Sequence, residues 1–500
     1  MSKAWLQRAV PLAIFAGAAL LLLWMFGNRL ILATNDEGIY LDAAERIVHG
    51  QKPYVDFFGY MSPGSFWMQA LAFQLFGMTM AAGRALVLLY VALEAALIYW
   101  IVARFASRSA AVVTALFFLA FQSADPSMLT ATHRWDSGAF ALGSIALSLS
   151  GRRRWLVASG MLIAGAALAT PSVALVAIVT LAWLRRRAGW YVLGIAAAGA
   201  GAVLALWLGG ILPAFLHQLQ WLSRNYSAVN VMPYGAIIGG YRALFQDAGI
   251  WELPVRAGVV VCLALPALLP IVAVIGGAKF WAQRNMVLVY LVFCAVALVA
   301  STYPRSDVAH LVYIAALPYA LAGIVIYESL PSLPRAWLTV AMALWAAIFG
   351  WQALLPGTLR PLHTPAGDVR ASIADASMVE GLLSSVRPHQ SLFVYPYKPL
   401  LYFLTQADNP TRYSYLAPGM MTGEDARIAL SELQSRPPDW VLYMDLNRTE
   451  YERVFPAAQG FDPHYPELER WIQANYRASG CPPVGAYALL RRDTKDLAYR

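Results

Sequence analysis

Between residues 10 and 355 the sequence is a succession of apolar runs, most of them long enough to cross a bilayer, separated by short basic segments. In hydrocarbon every backbone N–H and C=O must be satisfied within the protein, so such runs fold as helices packed in a bundle. Composition agrees, with 59% of residues hydrophobic and only 13% charged, about half the charged fraction of a soluble chain. The mean hydropathy is +0.54. The length rule predicts a polytopic α-helical membrane protein of about 11 spans, at 10–33, 81–103, 109–124, 136–150, 155–169, 172–184, 190–212, 255–277, 285–302, 308–327 and 335–355.

Basic residues mark one side: Lys3 and Arg8, Arg104 and Arg108, Arg152 to Arg154, Arg185 to Arg187, Lys279 and Arg284, and Arg335. The positive-inside rule makes that side cytoplasmic. The net charge of +9 resides largely in these segments, so it speaks for membrane orientation and not for nucleic-acid binding. One assignment is forced by charge. The run from Trp155 to Leu184 has an arginine triplet at each end, and a single helix would put one triplet outside. A break at Thr170-Pro171-Ser172 makes a hairpin of two short helices with both triplets inside. The odd count then predicts the N-terminus inside and the C-terminus outside. The run after Lys3 and Arg8 is long and no small-residue cleavage site follows it, so it reads as an uncleaved first span.

Predicted external segments are 34–80, 125–135, 170–172, 213–254, 303–307 and everything after 356. The composition changes sharply from Leu355, where charges, prolines and short β-type runs take over. Strands are expected at Ser391–Tyr395, Trp440–Met444 and near Ala486–Leu490, with helices at Val369–Val386 and Gly423–Gln434. The division is therefore a transmembrane domain, 1–355, and a small extracytoplasmic α/β domain, 356–500. Cys262 and Cys294 lie in apolar runs and Cys481 stands alone, which excludes a disulfide framework or thiolate metal site.

The loop from Thr34 to Arg84 carries the chemistry. It opens on two adjacent acids, Asp36 and Glu37, just beyond a span. A carboxylate there is hydrated yet close to a low-dielectric edge, where a base can act on a substrate sliding in from lipid. An amphipathic stretch follows, with Ile39, Ala43, Ala44 and Ile47 on one face and Asp42, Glu45, Arg46 and His49 on the other, and Gly50 stops it. A second such stretch runs from Pro63 to Phe76 and ends at Gly77. Both are expected to lie on the membrane surface.

The order Asp36-Glu37, Tyr40, Ala44, Arg46, Gly50, then Pro63, Trp67, Leu71, Leu75-Phe76-Gly77 and Arg84 resembles the first external loop of the GT-C glycosyltransferases, within them the protein-mannosyltransferase-like, ArnT-like bacterial branch of glycosyltransferase family 39 type. The match covers roughly the first third of the chain. The resemblance implies a membrane glycosyltransferase in the plasma (inner) membrane that uses a polyprenyl-phosphate sugar. The acceptor would be a glycan, glycolipid or protein on the outer side. It also implies Asp36 as catalytic base, with Glu37 orienting it or contacting the acceptor. Many relatives carry Lys-Pro-Pro before the second amphipathic helix; here the chain reads Met61-Ser62-Pro63-Gly64, so a donor contact from that lysine is missing or replaced. Relatives also often have a lysine near the hairpin proline, where Thr170 stands.

A leaving phosphate needs cations. Arg305, in a short external turn with Asp307 and His310 nearby, suits a bidentate grip on phosphate or, equally, a snorkelling arginine paired to Asp307. Arg46, Lys52 and Arg84 are further donor-phosphate candidates in the first loop. Asp136, in His133-Arg134-Trp135-Asp136, reads either as a helix cap or, from the resemblance, as a ligand of acceptor or divalent metal. Asp307, His310, Lys398 and Arg412 are auxiliary candidates, the last two in loops at strand ends. The seven histidines form no zinc motif, and no glycine-rich loop suits a nucleotide-sugar donor. The aromatic residues of 213–254 read as interface anchors. The main alternative, a transporter or flippase of lipid-linked saccharide, would favour inverted repeats and charges inside spans, and the one notable mid-span acid is Glu94. A scaffold protein is the third class.

Single cysteines placed at Arg153, Arg186 and Gln434 in a background without native cysteines test the topology. An impermeant thiol reagent added outside is expected to label the Gln434 site alone, whereas labelling at Arg186 would exclude the hairpin.

Overall fold

The computed structural model of the chain describes residues 3–32, 36–329, 336–337, 340–344, 347, 358–417, 420–458, 462–480 and 486–493. Helix α1 (Lys3–Phe26) leads into two helices of the first loop, α2 (Asp36–Val48) and α3 (Pro63–Phe76). The bundle continues through α4 (Met80–Phe105), α5 (Arg108–Gln122), α6 (His133–Ser148), α7 (Arg153–Ala169), α8 (Leu175–Leu184) and α9 (Ala188–Leu208). After α10 (Leu212–Val229) come α11 (Leu253–Ala282), α12 (Met286–Ala300), the short α13 (Val308–Val312) and α14 (Ala316–Ser329). Helices fall on ten of the expected runs; the eleventh, 335–355, lies mostly outside the described residues. Apolar side chains such as Leu12, Leu20, Leu204 and Leu208 point outward, as a bundle immersed in hydrocarbon requires. The chain is a multi-pass membrane protein.

The arginine triplets come together at one end of the bundle. Helix α7 ends at Thr170, a 3-10 turn at Pro171–Ala174 follows, and α8 runs only ten residues before Arg185 takes a positive φ of 50°. A β-carbon on Gly151 would lie 2.7 Å from Arg187 Nη1, and the Arg153 guanidinium stacks 5.2 Å over Trp190. Helices α7 and α9 therefore start side by side. They cross at Gly160 and Gly194, where an added β-carbon would sit 2.0 Å from the partner helix's backbone carbonyl, so only glycine admits the approach.

The segment beyond 358 mixes helix and strand. A hairpin of β1 (Leu359–Thr364) and β2 (Gly367–Ser372) precedes α15 (Ile373–Leu383), β3 (Leu392–Tyr395), α16 (Leu400–Thr405) and α17 (Gly423–Ser435). Then follow β4 (Trp440–Tyr443), α18 (Arg448–Val454), α19 (Pro466–Asn475), β5 (Tyr476–Ala478) and β6 (Ala488–Arg492). The sheet order is β3-β4-β6-β5, with β3 and β4 parallel and the other pairs antiparallel. The helix expected over 369–386 starts late. Residues 369–372 pair with β1, because Val369 and Ala371 alternate inward and Gly367 (φ 95°) closes the hairpin; Ser372 then caps the helix.

This segment does not stand apart from the bundle. Arg370 exchanges backbone hydrogen bonds with Asn28 and Leu30 at the end of α1, and Lys398 Nζ donates to the Leu32 carbonyl at 2.5 Å. Arg412 donates to the Val55 carbonyl at 2.6 Å, and Ser414 bonds Asp42. The expectation that α2 rests on a membrane surface with a wet polar face is corrected here. Every residue from Glu37 to Arg46 is buried, because α16 covers the side that the hydrophobic pattern assigned to water. Asp42 and Arg46 pair there at 3.1 Å. Burial, then the neighbouring Asp42 carboxylate, pushes Glu45 up to about 8.

The tightest joint is at Gly38, where an added β-carbon would meet Leu400 N at 2.0 Å and Leu400 Cα at 2.6 Å. Since these are backbone atoms, Gly38→Ala is expected to lever α16 away from α2 and cost at least about 1–3 kcal/mol, the range for overpacking. A lower melting midpoint together with faster proteolysis after residue 358 is the expected result; a midpoint equal to the parent's would refute the tight joint.

Candidate active site

Where the first loop, the start of α6, the turn before α13 and the C-terminal segment converge, they enclose a cavity of about 280 Å³. Its floor carries Asp36, Ile39 and Tyr60 from the first loop and Thr132, His133 and Arg134 from α6. Tyr226, Asn230, Arg305, Asp307 and His310 form one wall, and Tyr397, Pro399, Tyr415, Met420 and Phe455 form the roof. Residues distant in sequence thus meet in one cavity.

The two leading acids go to different places. Asp36, the first residue of α2, is exposed to the cavity. Glu37 turns inward and is fully buried, with Oε1 and Oε2 accepting from Arg84 Nε and Nη2 at 2.6 and 2.5 Å. Glu37 also accepts from the backbone N–H of Ala131 at 3.3 Å, and Arg84 reaches the Phe26 carbonyl at 3.5 Å. This two-pronged pair locks α2 to α4, to the end of α1 and to the strand of chain entering α6. Glu37 is thus paired with Arg84 and is not among the residues that line the cavity.

Arg305 and Asp307 do face the cavity, and they are already engaged. Arg305 donates from Nε to Asp307 (2.9 Å), from Nη1 to Asn230 Oδ1 (3.2 Å) and from Nη2 to the Val454 carbonyl (3.3 Å), and its plane lies 5.2 Å from the Phe455 ring. Asp307 also accepts from His310, from its backbone N–H at 3.0 Å and from Nδ1 at 2.6 Å. Burial alone would raise the Asp307 carboxyl; the His310 hydrogen bond and the Arg305 charge overcome that and hold it below the ordinary range.

The other candidates lie outside the cavity. Asp136 is one turn into α6, whose cap position is Thr132, so it is not the cap; it accepts from Ser65 Oγ at 2.6 Å and joins α6 to α3. Arg46 is paired with Asp42 and sits 5.8 Å over Phe57. Lys52 is exposed. Lys398 and Arg412 anchor the C-terminal segment to the first loop, as described above. Among the described residues no group of three or more histidine, cysteine or acidic side chains is placed to hold a metal ion. Cys481 lies outside the described residues.

Three contributors were not among the candidate site residues of the sequence reading. Arg134 is buried in the cavity wall, and its Nε and Nη1 have no hydrogen-bond partner among the described residues. An arginine in the first turn of an apolar helix is itself a signal, since charges inside spans face the protein interior. Thr170, at the hairpin tip, lies 2.7 Å from His133 Nδ1 and 3.0 Å from Ser137 Oγ and so pins α6. Tyr226, read as an interface anchor, lines the cavity instead because 212–229 forms α10.

A helical bundle with two helices in its first loop and a C-terminal segment over a cavity is a fold shared with solved ArnT and AglB structures. ArnT from Cupriavidus metallidurans bound to undecaprenyl phosphate is similar at a TM-score of 0.57, with 14% identity over 99% of both chains. The archaeal oligosaccharyltransferase AglB from Archaeoglobus fulgidus, in complex with an inhibitory peptide and a dolichol-phosphate, is similar at 0.55, with 10% identity over 98% of this chain and 75% of that one. At these identities the likeness is one of fold. No family model and no curated protein matches the sequence.

Removing one partner of a buried ion pair strands the other charge, at a cost of about 3–5 kcal/mol. Glu37→Gln and Arg84→Gln are each expected to lower the melting midpoint of the detergent-purified protein by that order. Glu37→Leu combined with Arg84→Met should recover a good part. Single variants as stable as the parent would show that the pair holds nothing together.

Proposed function

We propose that this protein is a membrane glycosyltransferase that moves a sugar from a polyprenyl-phosphate-linked donor to an acceptor hydroxyl on the outer face, with Asp36 as general base. The observation that carries this reading is the Asp36 carboxylate, exposed to a cavity whose lining also includes Arg134 and Arg305. Such an arrangement suits the reaction. The bond between the sugar's anomeric carbon and the phosphate oxygen breaks, and a bond from that carbon to the acceptor oxygen forms. The acceptor's proton passes to Asp36, while the polyprenyl phosphate departs as a stable anion that needs positive charge nearby and no strong acid. The fold shared with ArnT and AglB structures that contain polyprenyl or dolichol phosphates supports the donor class. The roof of Tyr397, Tyr415 and Phe455 supplies aromatic faces that suit a sugar ring. Asp307 is paired with Arg305 and His310, and Asp136 accepts from Ser65 outside the cavity, which leaves Asp36 as the base in this reading.

Asn at position 36 keeps the shape and removes the basicity. General-base catalysis contributes about 10²–10⁴-fold, so Asp36→Asn is expected to lose transfer by that order while melting with the parent and retaining donor lipid. The measurement is sugar release from polyprenyl-phosphate sugar by purified protein supplied with an envelope extract as acceptor. Parent-level turnover in Asp36→Asn would place the base elsewhere. A parent protein that carries the intact donor across liposomes without cleaving it would favour the flippase reading instead.

A further inference from the structure

Two arginines face the cavity, and their surroundings differ. Arg305 spends hydrogen bonds on three separate chain segments, at Asp307, Asn230 and Val454, and is covered by Phe455. Three of its donor groups therefore hold protein together. Arg134 is only 6% exposed, yet its Nε and Nη1 meet no acceptor among the described residues, and it forms no ion pair with Asp36 or Asp307 on the same cavity. A guanidinium has five N–H donors and no acceptor. Burying one with donors unfilled is costly unless an anion completes the site.

The position of Arg134 adds to this. It lies in the first turn of the 16-residue α6, where unpaired N–H groups and the helix dipole favour negative charge. Thr132, at the cap position, makes no side-chain capping bond, so its hydroxyl is not committed to the helix end. Thr132 and Arg134 both line the cavity. A planar fork at a helix N-terminus matches the geometry of a phosphate.

We propose that Arg134 is the phosphate-binding residue of the cavity, taking the anionic head of a lipid-linked phosphate, while Arg305 is a positioning residue that ties the wall to the roof. This rests on the lipid-donor reading above and names the residue that serves it. In the reaction Arg134 balances the charge that develops on the phosphate oxygen as its bond to the sugar breaks, and it then holds the polyprenyl phosphate until release.

The test is equilibrium binding to full-length protein in detergent, followed by native mass spectrometry, with undecaprenyl phosphate, undecaprenol and inorganic phosphate as separate probes. The parent is expected to bind undecaprenyl phosphate more tightly than undecaprenol. Arg134→Gln should weaken undecaprenyl phosphate about ten- to hundred-fold, the range for lost charged hydrogen bonds, and leave undecaprenol unchanged. Arg134→Lys, which keeps the charge without the fork, should fall between and serves if the Gln variant does not fold. Arg305→Gln should chiefly lower the melting midpoint. An Arg134→Gln protein, or failing that an Arg134→Lys protein, that binds undecaprenyl phosphate as the parent does overturns the assignment and leaves the lipid-donor reading standing. A parent that binds inorganic phosphate through Arg134 but not undecaprenyl phosphate, or that binds neither, overturns the lipid-donor reading and this assignment with it.

Discussion

The buried pair between Glu37 and Arg84 is the interaction on which the site depends. It joins the first turn of α2 to α4, with two hydrogen bonds of 2.6 and 2.5 Å out of contact with solvent. Buried ion pairs add little net stability over well-packed apolar residues, but they tolerate one geometry only. That property matters here because Asp36 directly precedes Glu37. With Glu37 clamped and helical geometry imposed, Asp36 is turned about 100° away around the helix and projects into the cavity. One acid is held so that the other is aimed.

Helix α2 is also the surface against which the C-terminal segment closes. Gly38 brings the α16 backbone close, and the bonds from Lys398, Arg412 and Ser414 distribute the joint along the loop. The loop and the segment that roofs it therefore behave as one layer across the end of the bundle. The cavity beneath has a polar floor and an aromatic roof, and it lies at the start of α6 and the turn before α13.

Much of this was legible in the sequence. Apolar run length and basic segments located the spans, because the cost of a bare backbone in hydrocarbon leaves helices as the solution. Two arginine triplets forced a break at Pro171, and the triplets do share one end of the bundle. The first-loop helices begin and end where the acids, Pro63, Gly50 and Gly77 predict. The strand-type runs expected at 391–395, 440–444 and near 486–490 overlap β3, β4 and β6. In each case the governing interaction is local or is with the solvent, so neighbouring residues reveal it.

Partnership was decided by tertiary structure. Arg46, Arg84 and Arg305 look alike as isolated cations, yet one pairs within its own helix, one across 47 residues of chain and one with three separate segments. Arg134 has two buried guanidinium nitrogens with no hydrogen-bond partner among the described residues, a property no window of sequence carries. The amphipathic pattern of α2 showed two faces, and only the fold revealed that α16 would cover the polar one. The sequence by itself located most of the bundle helices and the acids that open the first loop, because those follow from hydrophobicity and chain geometry. Which charges are paired within the fold and which are not was settled by contacts between residues far apart in the chain, because a buried charge takes its surroundings from the segments the fold brings to it.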